Sequence, residues 1–133
     1  ASPYSAVIPL FITALLAGEQ PVVYGDGRQS RDFTYVENVV QGNLLAADAA
    51  GAAGQIFNIA LGGSVTLLDV LESLNQVLGT AIQPRFDPPR VGDVRTAPAC
   101  FARAREELVF EPQLQFSEGL DRSIAYYREL VAA

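Results

Sequence analysis

Four short strand-forming runs are all the β-structure this chain offers, and helical patterns separate most of them. The runs are Gln20 to Tyr24, Asp32 to Val36, Gln55 to Ala60 and Ile82 to Phe86, each rich in β-branched or aromatic residues and bounded by turn formers. The stretch "YSAVIPLFITALLAG" is an apolar helix, opened by Ser2-Pro3 and closed by Gly18, with Pro9 expected to kink or delay it. Glu37 to Ala49 has helical periodicity. From Thr66 to Leu78 a capping threonine precedes the stripe Leu67, Val70, Leu71, Leu74 and Leu78, which Gly79 ends. Two short helices, Phe101 to Leu108 and Ser117 to Tyr127, are expected to finish the chain. This alternation predicts an α/β, or mixed α+β, arrangement. Four strands, two of them very short, leave the edges of a free-standing sheet uncovered. The expected fold is incomplete by itself.

At 133 residues the chain is one domain's worth, residues 1–133. Half of it is hydrophobic, which rules out disorder and predicts some apolar surface meant for a partner. A net charge of −6 argues against general nucleic-acid binding, which needs a basic face. No histidine is present, so His-ligated metals and His-based triads are out. The single cysteine, Cys100, cannot form an internal disulfide, which suits a reducing cytoplasm. All nine positive charges are arginine, the side chain whose planar fork matches phosphate. No apolar run is long enough to span a bilayer, and Ala6 to Ala17 lacks the basic leader of a signal peptide. A cytoplasmic protein without membrane attachment is expected.

Three stretches carry candidate chemistry. In "VVYGDGRQSRDF" (Val22 to Phe33), Gly25 and Gly27 permit a tight turn, and Arg31 stands at a strand start beside Asp32. Such an arginine is pre-organised for a phosphate or carboxylate. From spacing alone, the simpler reading is that Arg31 and Asp32 pair with each other or with neighbouring structure. In "PPRVGDV" (Pro88 to Val94) two prolines stiffen a loop that presents Arg90 and Asp93 three residues apart, either as a forked cation with a hydroxyl acceptor or as a local ion pair. In "FNIALGGS", Asn58 precedes Gly62-Gly63 at the end of a strand-like run. There it either faces a ligand, as polar residues at strand ends of open sheets do, or caps its own turn.

Taken in order, "YGDG…RDFTYV", "FNIA", "RVGD" and the closing "FEPQLQFSEGL" resemble the C-terminal half of the extended short-chain dehydrogenases, across nearly the whole chain. The resemblance is to NAD-dependent sugar-nucleotide epimerases and dehydratases of the UDP-glucose and UDP-N-acetylglucosamine 4-epimerase kind. It implies that Arg31 and Arg90 contact a nucleotide diphosphate and that Asp93 receives ribose hydroxyls. It also implies that the backbone at Val23 and Tyr24 faces the base, and that Asn58 lies close to substrate. Glu37 and Asn38 stand where the family usually has "V-D-D" carboxylates.

The family binds NAD through a GxxGxxG turn and uses a Tyr-x-x-x-Lys pair as its base. Neither occurs here: no window has the glycine spacing, and Arg28, four residues after Tyr24, cannot titrate in place of lysine. The expectation is therefore a truncated, substrate-binding half of the fold. It lacks the N-terminal NAD-binding Rossmann half, holds a UDP- or dTDP-sugar, and on its own binds no cofactor and catalyses nothing. A partner is expected, either a separate NAD-binding half or a second copy in a homodimer. The competing reading is a non-catalytic, self-associating protein whose strand edges are buried in that dimer.

Overall fold

The computed structural model describes residues 6–132. Helix α1 (Val7–Leu16) opens them and leads to strand β1 (Val22–Tyr24), a turn and strand β2 (Ser30–Arg31). Helix α2 (Val36–Asp48) follows, then strand β3 (Val65–Thr66) and helix α3 (Leu67–Leu78). Strands β4 (Arg85–Asp87) and β5 (Thr96–Ala97) precede helices α4 (Ala102–Leu108) and α5 (Phe116–Ala132). The mixed α/β class is as expected, but the β-structure is smaller still than the sequence implies. It forms two separate ladders, β1 with β4 and β3-β2-β5.

β1 and β4 run parallel, with Val23 opposite Phe86. β2 is antiparallel to β3 and parallel to β5, pairing Ser30 with both Thr66 and Thr96. The two ladders are joined by the turn through Gly25 and Gly27, both at positive φ (80° and 73°). At Gly27 a Cβ would also stand 2.8 Å from Leu68, so that position requires glycine twice over.

The main core is helical. Phe11, Ile12 and Leu15 of α1 meet Val70, Leu71 and Leu74 of α3, Leu120 and Ile124 of α5, and Val23 of β1. α3 carries its stripe as expected. Thr66 and Asp69 form a reciprocal capping box at its start, and Gly79 closes it in the left-handed conformation. A second cluster joins Ala60, Phe101, Ala104, Leu108 and Phe110. Gly42 of α2 lies against Ile59 at the edge of that cluster, where a Cβ would come within 2.6 Å.

Several expectations are corrected. Ser2-Pro3 lies outside the described residues. Pro9 does not kink α1, because it sits in the first helical turn, where its missing N–H would have no intrahelical partner. The strand expected at Asp32 to Val36 is displaced to Ser30–Arg31. There the Asp32 carboxylate turns aside to accept from the amides of Leu61, Gly62 and Gly63 at 3.1, 2.7 and 3.1 Å, which takes the chain off the ladder. Gln55 to Ala60 keeps a period of two, with Phe57 and Ile59 against the second cluster and Ile56 and Asn58 outward, but it forms no strand because nothing among the described residues pairs with it. The last helix is long, 17 residues, since Leu120 and Ile124 carry its apolar face well into the core.

Candidate functional site

A cavity of about 530 Å³ opens between α1, the end of β1 and the loop after β4. Its apolar wall comes from Leu10 and Phe11 of α1, Val22, Phe33 and Leu67, and its polar groups are Gln29, Arg31, Arg90 and Asp93. Three local devices place the polar groups. Arg31 is held by the β2 ladder, paired on both sides. Arg90 and Asp93 share a tight turn in which the Asp93 amide donates to the Arg90 carbonyl, with Gly92 at φ +84°. Gln29 is buried at the foot of β2.

These groups interlock. The Arg31 guanidinium donates to Asp93 Oδ1 at 2.6 Å and to its neighbour's Ser30 carbonyl at 2.8 Å. Arg90 lies over the Tyr24 ring, 3.8 Å from its centroid, a cation–π contact that holds the guanidinium at the cavity wall. Two cations face one carboxylate, which leaves a net positive charge beside an apolar recess. Both guanidiniums are partly exposed forks, so such a site suits a phosphate-type anion attached to a flat, weakly polar ring.

A neighbouring recess shares Tyr24, Gln29, Arg90 and Asp93 and adds Asp26 and Arg95. Here Arg95 donates to both Asp26 oxygens, at 3.0 and 3.3 Å. The Arg28 amide first, and Arg95 next, hold the Asp26 carboxyl below the usual carboxylate range.

Of the residues singled out in the sequence, Arg31, Arg90, Asp93 and Tyr24 come together on this cavity. Val23 points the other way: its side chain is fully buried in the core, and the cavity is lined by its neighbours Val22 and Tyr24. Asn58 does not line this cavity. It is exposed, and its amide donates to the Cys100 carbonyl at 3.3 Å, tying the 55–60 segment to the loop before α4. Arg31 pairs with Asp93 and not with Asp32, whose carboxylate is spent on the three backbone amides. Glu37 is ion-paired to Arg122. The buried Asn38 amide donates to the Leu114 carbonyl at 2.7 Å and accepts from the amides of Gln113 and Leu114. Its work is structural.

Gln29, Phe33, Leu67 and the α1 residues are the lining that sequence reasoning missed. Gln29 alone left a signal, a polar side chain two positions before Arg31 at a turn-to-strand junction. Among the described residues no group of three His, Cys, Asp or Glu side chains could hold a metal ion.

The cavity, with two guanidiniums and a carboxylate in its wall, is set against parallel β-structure and framed by α1 and α3 in an α/β protein. Residues 1–60 match the model of the NAD-dependent epimerase/dehydratase family, and the chain has the fold of part of an extended short-chain dehydrogenase. It is similar to UDP-glucose 4-epimerase of Mycolicibacterium smegmatis, 34% identical over 124 residues that make up 93% of this chain and 39% of that protein. A dTDP-glucose 4,6-dehydratase of Actinoplanes is 36% identical over 92% of this chain and 38% of its own. Among solved structures, UDP-glucose 4-epimerase of Thermotoga maritima with UDP-glucose superposes with a TM-score of 0.90 at 34% identity, over 98% of this chain and 42% of that one. The chain thus spans about two fifths of the length of the relatives it matches.

Two places that could cradle a dinucleotide's phosphates, the Gly62-Gly63 segment and the start of α3, are closed. A dinucleotide's phosphates need free backbone amides at a glycine turn or a helix start. The amides of Leu61, Gly62 and Gly63 are taken by the Asp32 carboxylate, and the start of α3 is closed by its own capping box.

Proposed function

We propose that this cavity binds the nucleoside diphosphate part of a sugar nucleotide, a UDP- or dTDP-sugar, and that residues 1–133 act as a substrate-binding unit. Arg31 and Arg90 take the phosphates, Asp93 accepts from ribose hydroxyls, and the apolar wall beside Tyr24 receives the base. The observation that carries this reading is the convergence on one cavity of two arginines and a carboxylate from segments about sixty residues apart. The UDP-glucose in the Thermotoga neighbour supports the ligand class. Turnover, epimerase or dehydratase, belongs to an assembly that also supplies NAD and a Tyr-Lys base. The natural setting is the cytoplasm, where a lone thiol stays reduced; no described helix is long and apolar enough to cross a membrane.

Calorimetric titration with UDP tests the reading. Saturable binding, weakened by Arg90→Ala by about 1.5–3 kcal/mol, the range for a hydrogen bond to a charged group, is the expected result. No heat at millimolar UDP in wild-type protein refutes it.

A second reading rests on a different surface. Val36, Val40 and Leu44 lie exposed at intervals of four along one face of α2, and Ile56, 83% exposed, stands on the unladdered 55–60 segment. Residues of this kind on a single face mark an interface, and a homodimer would bury them. Light scattering at micromolar concentration decides: a dimer, with or without UDP, supports this, and a monomer rejects it.

A further inference from the structure

Gln29 is the least explained polar group of the site. Its side chain is 7% exposed, yet it forms part of the wall of both the main cavity and the neighbouring recess. Its Nε2 donates to the Tyr24 carbonyl at 2.7 Å and faces Asp93 Oδ2 at 3.5 Å. Both neighbours are acceptors only, so the nitrogen of the amide, and not its oxygen, must point at them. The Gln29 backbone carbonyl accepts from the Leu67 backbone amide at 3.2 Å, which anchors the residue to the start of α3.

The two residues that Gln29 touches, Tyr24 through its backbone carbonyl and Asp93 through its carboxylate, are the ones that hold the two arginines. Tyr24 carries Arg90 on its ring, and Asp93 carries Arg31 on its other carboxylate oxygen. One buried amide thus stands at the junction of two otherwise separate pairs. We propose that Gln29 is a positioning residue that sets the separation of the Arg31 and Arg90 guanidiniums, so that both engage adjacent phosphates of one diphosphate. This deepens the sugar-nucleotide reading and rests on it. A fork held in advance loses less freedom on binding, which is why fixing two cations by one inner hydrogen-bonded amide raises affinity.

Gln29→Glu is the informative change, because it keeps the shape and exchanges a donor for a charged acceptor. Ionised, the new carboxylate faces the Tyr24 carbonyl and Asp93, repels both, and disperses the arginine holders. Protonated, its O–H donates to the Tyr24 carbonyl as the amide does. The charged groups around position 29 are Arg31, Arg90 and Asp93 on the cavity side and Asp26 and Arg95 on the recess side, with the Tyr24 phenol beside them. Burial and the adjacent Asp93 carboxylate raise the pKa of a carboxyl introduced there against the lowering by Arg31 and Arg90, and acid moves it toward the protonated form.

The experiment is UDP titration of wild type and Gln29→Glu at about pH 8 and about pH 5.5, with folding followed by circular dichroism. The expected result is a loss of about tenfold or more in the variant at the higher pH and its recovery, relative to wild type in the same buffer, at the lower. Circular dichroism at both pH values separates a fold lost to the buried charge from a loss of affinity in a folded variant. Equal affinities of variant and wild type at the higher pH, or a deficit unchanged by acid, overturn the proposal. If wild type itself fails to bind UDP, the sugar-nucleotide reading falls and takes this one with it. Should Gln29→Glu not fold, Gln29→Met replaces it: a loss of about tenfold at both pH values supports the proposal and unimpaired binding overturns it.

Discussion

The Arg31 guanidinium donates to the Asp93 carboxylate at 2.6 Å, joining residues 62 positions apart at the mouth of the cavity. Both side chains are about one-third exposed, so solvent screens the pair and it adds little to stability. On the proposed reading its value lies in aim. Arg31→Ala is expected to change the free energy of unfolding by less than about 1 kcal/mol while lowering UDP affinity by about tenfold or more. Urea melts and calorimetry on the same preparation check the split; a large stability loss with unchanged binding would assign Arg31 to the fold instead.

Asn38 makes the opposite case. It is buried, and its side chain makes one donated and two accepted hydrogen bonds that pin residues 113 and 114 above α2. Asn38→Ala strands those buried backbone groups and is expected to cost about 2–4 kcal/mol. A denaturant midpoint within error of wild type would contradict this.

The α3 capping box links stability to acid. The Thr66 hydroxyl first, and the Thr66 amide next, lower the Asp69 pKa below its usual 3.8. A depressed carboxylate contributes stability that is fully present above its unfolded pKa and is lost as pH falls through the folded value. Thr66→Ala is therefore expected to cost about 1 kcal/mol at neutral pH. The gap to wild type should narrow as pH drops through the region below about 4. Thermal melts across that range read it directly, and a gap independent of pH would exclude the carboxylate.

Val109 ends α4 in the left-handed region at φ +56°, the one non-glycine residue described there, and is 79% exposed. A β-branched side chain in that conformation carries a cost of about 1–2 kcal/mol, and little burial offsets it. Val109→Gly is expected to raise stability by roughly 1 kcal/mol after the added chain entropy is deducted. A lowered melting temperature would show that Val109 holds contacts its exposure does not suggest.

What the sequence by itself determined is the part set by neighbours a few residues apart. The box at Thr66 and Asp69, the stop at Gly79, the turn through Gly25 and Gly27 and the apolar stripe of α3 are all local, and each stands where its residues place it. The motifs also marked Arg31, Tyr24, Arg90 and Asp93, which share one cavity. Tertiary structure alone decided the rest. Arg31 chose Asp93 over the adjacent Asp32 because Asp32 meets three backbone amides that only the folded chain brings near. Asn58 was drawn to the Cys100 carbonyl and away from this cavity, and Gln55 to Ala60 stayed off any ladder for want of a neighbour among the described residues. Gln29 could not be read as the link between two arginines until Tyr24 and Asp93 closed on it. A cap or turn is settled by interactions within one or two turns of chain, whereas a ladder or a binding site is settled by which distant groups arrive with matching donors and acceptors.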